Sequence, residues 1–271
     1  MISKKKYATP FIIWIIAGTL IPLLSIAYYG FTSRDGGFTL SNITAIFEHD
    51  HIQALGLSLL LAVISTLVCL LLAFPMAMIL RESKYGKQGF MIFVFILPMW
   101  MNFLLRTMAW QVLLERQGVI NNLITAIGLP RQELMNTPGA IVLGMVYDFL
   151  PFMILPIYNT VSKIDNHLIE AAYDLGASKS KVYTAVILPL TIPGIVSGIT
   201  MVFIPALTTF VISNMLGGGK INLIGNIIEQ EFTVNSNWYL GSGLSLVMMV
   251  FIIVSMLLLQ KFDKTGGESL I

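Results

Sequence analysis

Two charges interrupt otherwise apolar sequence. Arg106 stands eight residues before Leu114, and Asp148 stands eight residues after Ala140. If both runs are helices crossing a membrane in opposite senses, 1.5 Å per residue puts each charge ~12 Å below the outer boundary. Charges at such depth pair with one another or face a water-filled path. Two readings stay open: a structural Arg106–Asp148 ion pair, or a carboxylate that, with Tyr147, Trp110 and Phe152, attracts a cationic solute through charge and cation–π contact. Glu229 and Glu231 either add negative charge near an outer mouth or are simply solvated. Paired His, carboxylate or Ser/Lys groups at matched depth, as an intramembrane enzyme needs, do not occur; the matched pair is Arg with Asp, which can neutralise itself. Glu48, His49, Asp50 and His51 suggest a metal site, but His at i and i+2 is weak ligand spacing, so a solvated loop is expected. Gly217-Gly218-Gly219-Lys220 invites comparison with a phosphate-binding loop. Asn214 stands where the first glycine belongs and Ile221 where Ser or Thr must follow the lysine, so the mechanism of that motif is missing. The glycines are expected in tight outer turns.

These residues are carried by a chain of 271 residues with 56% hydrophobic and 11% charged content and a mean hydropathy of +0.83. Soluble chains carry about 25% charged residues, so the composition excludes a soluble domain. The net charge of +2 is scattered over loops and implies no nucleic acid. Cys69, the single cysteine, lies in an apolar run and can form no intrachain disulfide. Six runs can span a hydrocarbon core, which takes ~20 helical residues: Thr9–Tyr29, Ala54–Leu80, Phe90–Leu114, Ala140–Val161, Leu188–Asn214 and Gly241–Gln260. Lys4, Lys5 and Lys6 ahead of the first run, with Ser25-Ile26-Ala27 near its end, resemble a signal peptide. The run exceeds the ~7–15 apolar residues of such peptides, so it reads as a retained first span. The second outer loop, 115–139, holds an expected short helix around Val119–Ile127, ended by Gly128 and Pro130.

Orientation follows from lysine and arginine. Lys4, Lys5, Lys6, Arg81, Lys84, Lys87, Lys163, Lys179, Lys181, Lys261 and Lys264, 11 of the 16 basic residues, fall in one set of ends and loops. Arg34, Arg116, Arg131 and Lys220 fall in the other. The positive-inside tendency places both termini and residues 162–187 in the cytoplasm.

That inner segment does not fit the rest of the chain. Asp165 and Asn166 can cap a helix start, and Leu168, Ile169, Ala172 and Leu175 recur at helical spacing to form one apolar face. Gly176 suits a reversal at positive φ, Ser178 can open a second short helix, and Pro189 and Pro193 mark the return to apolar sequence. His167 is expected at the surface. An amphipathic hairpin between two spans cannot lie in lipid, so it is expected on a membrane face against a partner.

Glu170-Ala171-Ala172, three residues, Gly176, nine residues, then Val186-Ile187-Leu188-Pro189 resembles the E-A-A-x3-G-x9-I-x-L-P motif of ABC-importer permeases, with Val186 replacing isoleucine. A further likeness to the permeases of spermidine/putrescine importers runs from about residue 55 to the end. It rests on Leu105-Arg106-Thr107-Met108-Ala109-Trp110, Gly144–Tyr147, Leu150–Pro156, Phe203–Leu207, Gly217–Lys220, Leu223-Ile224-Gly225-Asn226, Asn237-Trp238 and Leu240-Gly241-Ser242. Near Thr209–Asn214 that family often has acidic residues, whereas Thr209, Ser213 and Asn214 here are neutral.

The resemblance implies an all-α membrane protein of six transmembrane helices with the type I, MetI-like importer permease fold. It would be a single permease domain over 1–271, with the first span at 9–29, a core at about 54–260 and a coupling hairpin at 162–187. It also implies an ATP-driven uptake system for polyamines working by alternating access. Its partners would be a second homologous permease, two ATPase subunits that bind the ATP and magnesium, and an extracytoplasmic solute-binding protein. Glu170, Ala171, Ala172, Gly176, Leu188 and Pro189 would transmit motion and do no covalent chemistry. Thiamine, an aminophosphonate or an oxyanion are alternative solutes, although an anion favours a basic path and Arg106 is the one candidate. A passive channel would leave the hairpin unexplained.

Overall fold

The structure is a computed structural model that describes the backbone of residues 4–83, 94–95 and 97–268, with side chains over 10–83, 94–95 and 97–261. Lys84, Lys87 and the first residues of the expected third span lie outside the described residues, as do the side chains of Lys4, Lys5, Lys6 and Lys264. Among the described residues the elements are helical, and the extended pairing is a bridge between Thr32 and Phe38. The first span joins α1 (Lys4–Ile15) to α2 (Ile21–Gly30) through a π turn, Ile16–Leu20. Outside it lie α3 (Ser41–Thr44) and a 3₁₀ turn, Ala45–Phe47, that leads into α4 (His49–Glu82). Then follow α5 (Phe103–Leu114), α6 (Val119–Ala126) and α7 (Pro138–Val161). The hairpin contains α8 (Asn166–Asp174) and α9 (Lys179–Val182) and enters α10 (Leu188–Thr208) through a second π turn, Tyr183–Ile187. Two outer helices, α11 (Val211–Leu216) and α12 (Ile224–Thr233), precede α13 (Trp238–Glu268).

Five continuous helices among the described residues are long and apolar enough to cross a membrane: Pro10–Gly30, His49–Glu82, Pro138–Val161, Lys179–Thr208 and Trp238–Lys261. They match five of the six expected spans, with polar turns added at several ends, because helical hydrogen bonding continues past the hydrocarbon edge. The expected third span, Phe90–Leu114, is not one continuous helix over its described residues. Its described part breaks after a 3₁₀ turn, Leu97–Trp100, and helix restarts at Phe103, where Asn102 Oδ1 accepts from the Leu104 and Leu105 amides at 2.8 and 3.4 Å. The restarted helix runs for twelve residues, a rise of ~18 Å, and the expected span also includes residues 90–93 and 96, outside the described ones.

Proline explains both π turns. A proline inside a helix lacks the amide that would bond back to residue i−4, and its ring crowds that carbonyl. Pro22 and Pro189 each follow a wide turn by two residues, and the wide turn accommodates the missing bond. Pro189 therefore sits in one continuous helical segment, Lys179–Thr208.

Helices α4, α7 and α10 pack together as the centre. From α7, Ile141, Met145, Met153, Ile157 and Val161 are fully buried. Gly194 and Gly198 on α10 face Thr160, Pro156 and Met153 so closely that a Cβ would collide, the small-residue spacing that lets membrane helices approach. Cys69 is fully buried on α4, with its thiol 3.8 Å from the Val146 carbonyl.

The expected fifth span, Leu188–Asn214, ends earlier than expected. Helix α10 stops at Thr208, Thr209 turns extended (φ −64, ψ 139), and α11 starts afresh. Fully buried Asn226 secures the break. Its Nδ2 donates to Phe210 O at 3.1 Å and Asn214 Oδ1 at 2.6 Å, and its Oδ1 accepts from Ser213 Oγ at 2.5 Å and Leu223 N at 3.0 Å. The neutral Ser213 and Asn214 are therefore occupied in this network. Helix α12 had no expectation in sequence, although Ile224, Ile227 and Ile228 give it amphipathic spacing. Its start is held by Ser58 Oγ of α4, which accepts from Ile224 N at 2.8 Å.

Elsewhere the outer loops follow the sequence more closely. Helix α6 lies where expected, and Gly128 closes it at φ 85. Gly218 and Gly219 have φ of 58 and 69, the turn conformations expected of them. The expected loop around His49–His51 is instead the first turn of α4. His51 is buried there, with Nδ1 2.6 Å from Ala45 O, so a backbone partner draws it inward.

Candidate functional site

The hairpin is built from local signals. Asp165 Oδ1 accepts from His167 N at 3.0 Å and caps α8. Asn166 is the first helical residue instead of a cap, and its Oδ1 accepts from Arg81 Nη2 at 2.8 Å. At the far end Gly176 takes φ 81. Gly176 N donates to Tyr173 O at 2.8 Å and Ala177 N to Ala172 O at 3.0 Å, the paired closure of a helix ended by glycine in the left-handed region. Ser178 Oγ accepts from Lys181 N at 3.4 Å and opens α9.

The single apolar face expected of α8 splits in two. Ile169 and Ala172 are half-buried against the core, while Leu168 and Leu175 are 51% and 89% exposed. Helix α8 presents Leu168, Glu170, Ala171 and Tyr173 to the outside, and Leu175, which caps its end, is exposed beside them. His167 and Glu170 are both exposed, with Nδ1 and Oε2 3.4 Å apart. Leu188 and Pro189 lie beyond the hairpin at the base of α10. The surface offers geometry for docking and no reactive group.

The intramembrane pair is present. Arg106 Nε lies 3.4 Å from Asp148 Oδ1, with the two side chains 6% and 1% exposed. Thr107 Oγ1 donates to Asp148 Oδ2 at 3.2 Å. Nε and Nη1 of Arg106 and Oδ1 of Asp148 make no hydrogen bond to the described protein, so the two charges meet without being saturated. Trp110 and Tyr147 stack edge-on at 5.4 Å, joining α5 to α7 near the pair. Tyr147 is 39% exposed and Phe152 is half-buried against the core.

Glu229 and Glu231 are elsewhere. Glu229 lines a mostly apolar cavity of about 510 Å³ between α12 and α13, with Phe210 and Phe232, and accepts from Thr233 Oγ1 at 3.0 Å. Glu231 accepts from Asn235 Nδ2 at 2.7 Å and fixes the following turn. Sequence reasoning gave no structural role to Ser58, to Asn226, which it quoted only within a motif, or to the end of α4, where Arg81 counted only as a positive charge. Arg81 Nη2 also donates to Ile164 O at 3.1 Å, and Glu82 Oε1 accepts from Tyr183 Oη at 3.1 Å.

A core of long apolar helices with an exposed amphipathic hairpin and a broken helix is the architecture expected of a transport permease. The family model described as binding-protein-dependent transport system inner membrane component matches residues 70–265, and the chain belongs to that family. It is a multi-pass inner-membrane transport subunit and not an enzyme. It is 36% identical over 259 residues to the spermidine/putrescine transport system permease protein PotB of Haemophilus influenzae, covering 93% of this chain and 91% of that protein. It is 35% identical to PotB of Escherichia coli, covering 88% and 89%. One solved structure, a bacterial ABC transporter involved in the import of the acidic polysaccharide alginate, superposes with a TM-score of 0.78 over 97% of this chain and 94% of that one. At 17% identity that likeness concerns the fold alone.

Proposed function

We propose that the chain forms one permease half of an ATP-driven importer of polyamines. The observation that carries this reading is the 36% identity to a spermidine/putrescine permease across nearly the whole of both chains. The system contains a second homologous permease, two ATPase subunits that bind ATP and magnesium, and an extracytoplasmic binding protein. The N- and C-termini and the hairpin are cytoplasmic, in line with the Lys and Arg bias. The hairpin docks on the ATPase, with Glu170 and Ala171 in the contact, Ala172 seating α8 on the core, Gly176 shaping the turn, and Leu188 and Pro189 at its root. ATP binding draws the ATPase subunits together and moves the hairpins, which opens the helices toward the binding protein; hydrolysis returns them.

The test is reconstitution of the complete importer in liposomes with radiolabelled spermidine and putrescine. Saturable uptake that requires both ATP and the binding protein is expected. Uptake of thiamine, an aminophosphonate or an oxyanion with polyamine refused overturns the substrate assignment while leaving the transporter class.

A further inference from the structure

We propose that Arg81 is a positioning residue that ties the inner hairpin to α4, so that hairpin movement reaches the outer side of the protein through one continuous helix. The inference rests on the reading of the hairpin as an ATPase contact. Helix α8 packs mainly against α9 and the π turn of its own hairpin, which alone would leave its entry loosely attached. The end of α4 supplies the missing attachment with two consecutive residues. Arg81 Nη2 uses both of its hydrogens, one toward Ile164 O at 3.1 Å and one toward Asn166 Oδ1 at 2.8 Å. Glu82 holds the hairpin's exit through the Tyr183 hydroxyl at 3.1 Å. Entry and exit are thus gripped by one turn of one helix, around a cavity of about 500 Å³ lined by Arg81, Glu82, Tyr158, Ser162, Ile164 and Asn166.

What lies at the far end of α4 gives this grip its meaning. The helix is 34 residues long, ~51 Å at 1.5 Å per residue, and it packs on α7 and α10. In its outer third Ser58 accepts from Ile224 N at 2.8 Å, beside the Asn226 network that holds the break between α10 and α11. Arg81 therefore holds the inner end of the same helix that Ser58 ties to α12. A simple role in membrane orientation needs only the positive charge; the observed geometry needs the guanidinium nitrogen between two acceptors.

The experiment compares Arg81→Gln, Arg81→Lys, Asn166→Ala and the Arg81→Gln/Asn166→Ala double variant in the reconstituted importer. Solute imported per ATP hydrolysed is expected to fall about tenfold in Arg81→Gln and about threefold in Asn166→Ala, from the strength of hydrogen bonds to charged groups. The double variant should be no worse than Arg81→Gln, with complex yield and unstimulated ATP hydrolysis preserved. Arg81→Lys should recover only part of the loss, because its single ammonium sits on a shorter reach. Full coupling in Arg81→Lys or Arg81→Gln overturns the proposal, as does a loss that follows complex yield. Spin labels at Ile79 and Ser178 in the same complexes provide the second readout, with a narrow distance distribution expected to broaden in Arg81→Gln. An unchanged distribution overturns the attachment. A wild-type complex that imports solute while its hairpin cannot be cross-linked to the ATPase overturns the docking reading instead, whatever the spin labels give.

Discussion

At the scale of single residues, Asp148 decides between two designs. It is 1% exposed and shares its site with Arg106 and Thr107, so in this conformation it serves α5 and α7. Replacing it by Asn leaves a buried guanidinium without its counter-charge, a loss of about 3–5 kcal/mol, and Asp148→Asn should reduce complex yield. Adding Arg106→Gln removes the stranded charge and should restore yield. If Asp148 also meets the substrate in another state, the double variant should assemble and yet import spermidine poorly, because dehydrated ammonium groups need negative partners. Radiolabelled uptake beside complex yield separates the two roles, and normal uptake in the double variant removes Asp148 from the substrate path. The pairing was legible because equal depth in opposed spans can be counted along the chain. Asn226 was not, since its partners Phe210, Ser213 and Asn214 meet it only after the chain has turned back through residues 217–223. The grip of Arg81 on Ile164 and Asn166 spans more than eighty residues and left no local signal.

At the scale of elements, the split of the hairpin's apolar face was not readable, whereas its caps and glycine reversal were, because they are local chemistry. Gly176 shows why: nothing stands within 4 Å of where its Cβ would be, so its φ of 81 is the whole constraint. A β-branched residue there pays of order 1–2 kcal/mol in the left-handed region. Gly176→Val should insert normally and lose most coupling between ATP hydrolysis and uptake, while Gly176→Asn, tolerant of that conformation, should keep most of it. Full uptake by Gly176→Val would show that docking does not depend on this turn. Hydropathy marked apolar lengths well and helix continuity poorly. It could not separate one helix from two at Asn102 or Thr209, where a cap and a tertiary network interrupt sequence that stays apolar on both sides. It also stopped α4 short at its outer end, where the first turn carries Asp50 and two histidines and His51 is buried by a carbonyl that hydropathy cannot see.

At the scale of the whole molecule, five helices among the described residues are long and apolar enough to cross a membrane, and the Lys and Arg bias predicts which side each loop faces. Single cysteines at Ser178 or Lys179 should react with a membrane-impermeant maleimide in inverted vesicles and not in intact cells. Reaction in intact cells would reverse the topology. The native background favours this measurement. Cys69, the chain's single thiol, has no accessible surface and faces the Val146 carbonyl across the α4–α7 contact. Folded protein should therefore be silent to the reagent before any engineering, and each introduced cysteine can be read without first deleting a native one. The same thiol keeps a second record: it becomes reactive when α4 separates from α7, so the date of its first labelling in an ageing or heated sample marks the loss of the core.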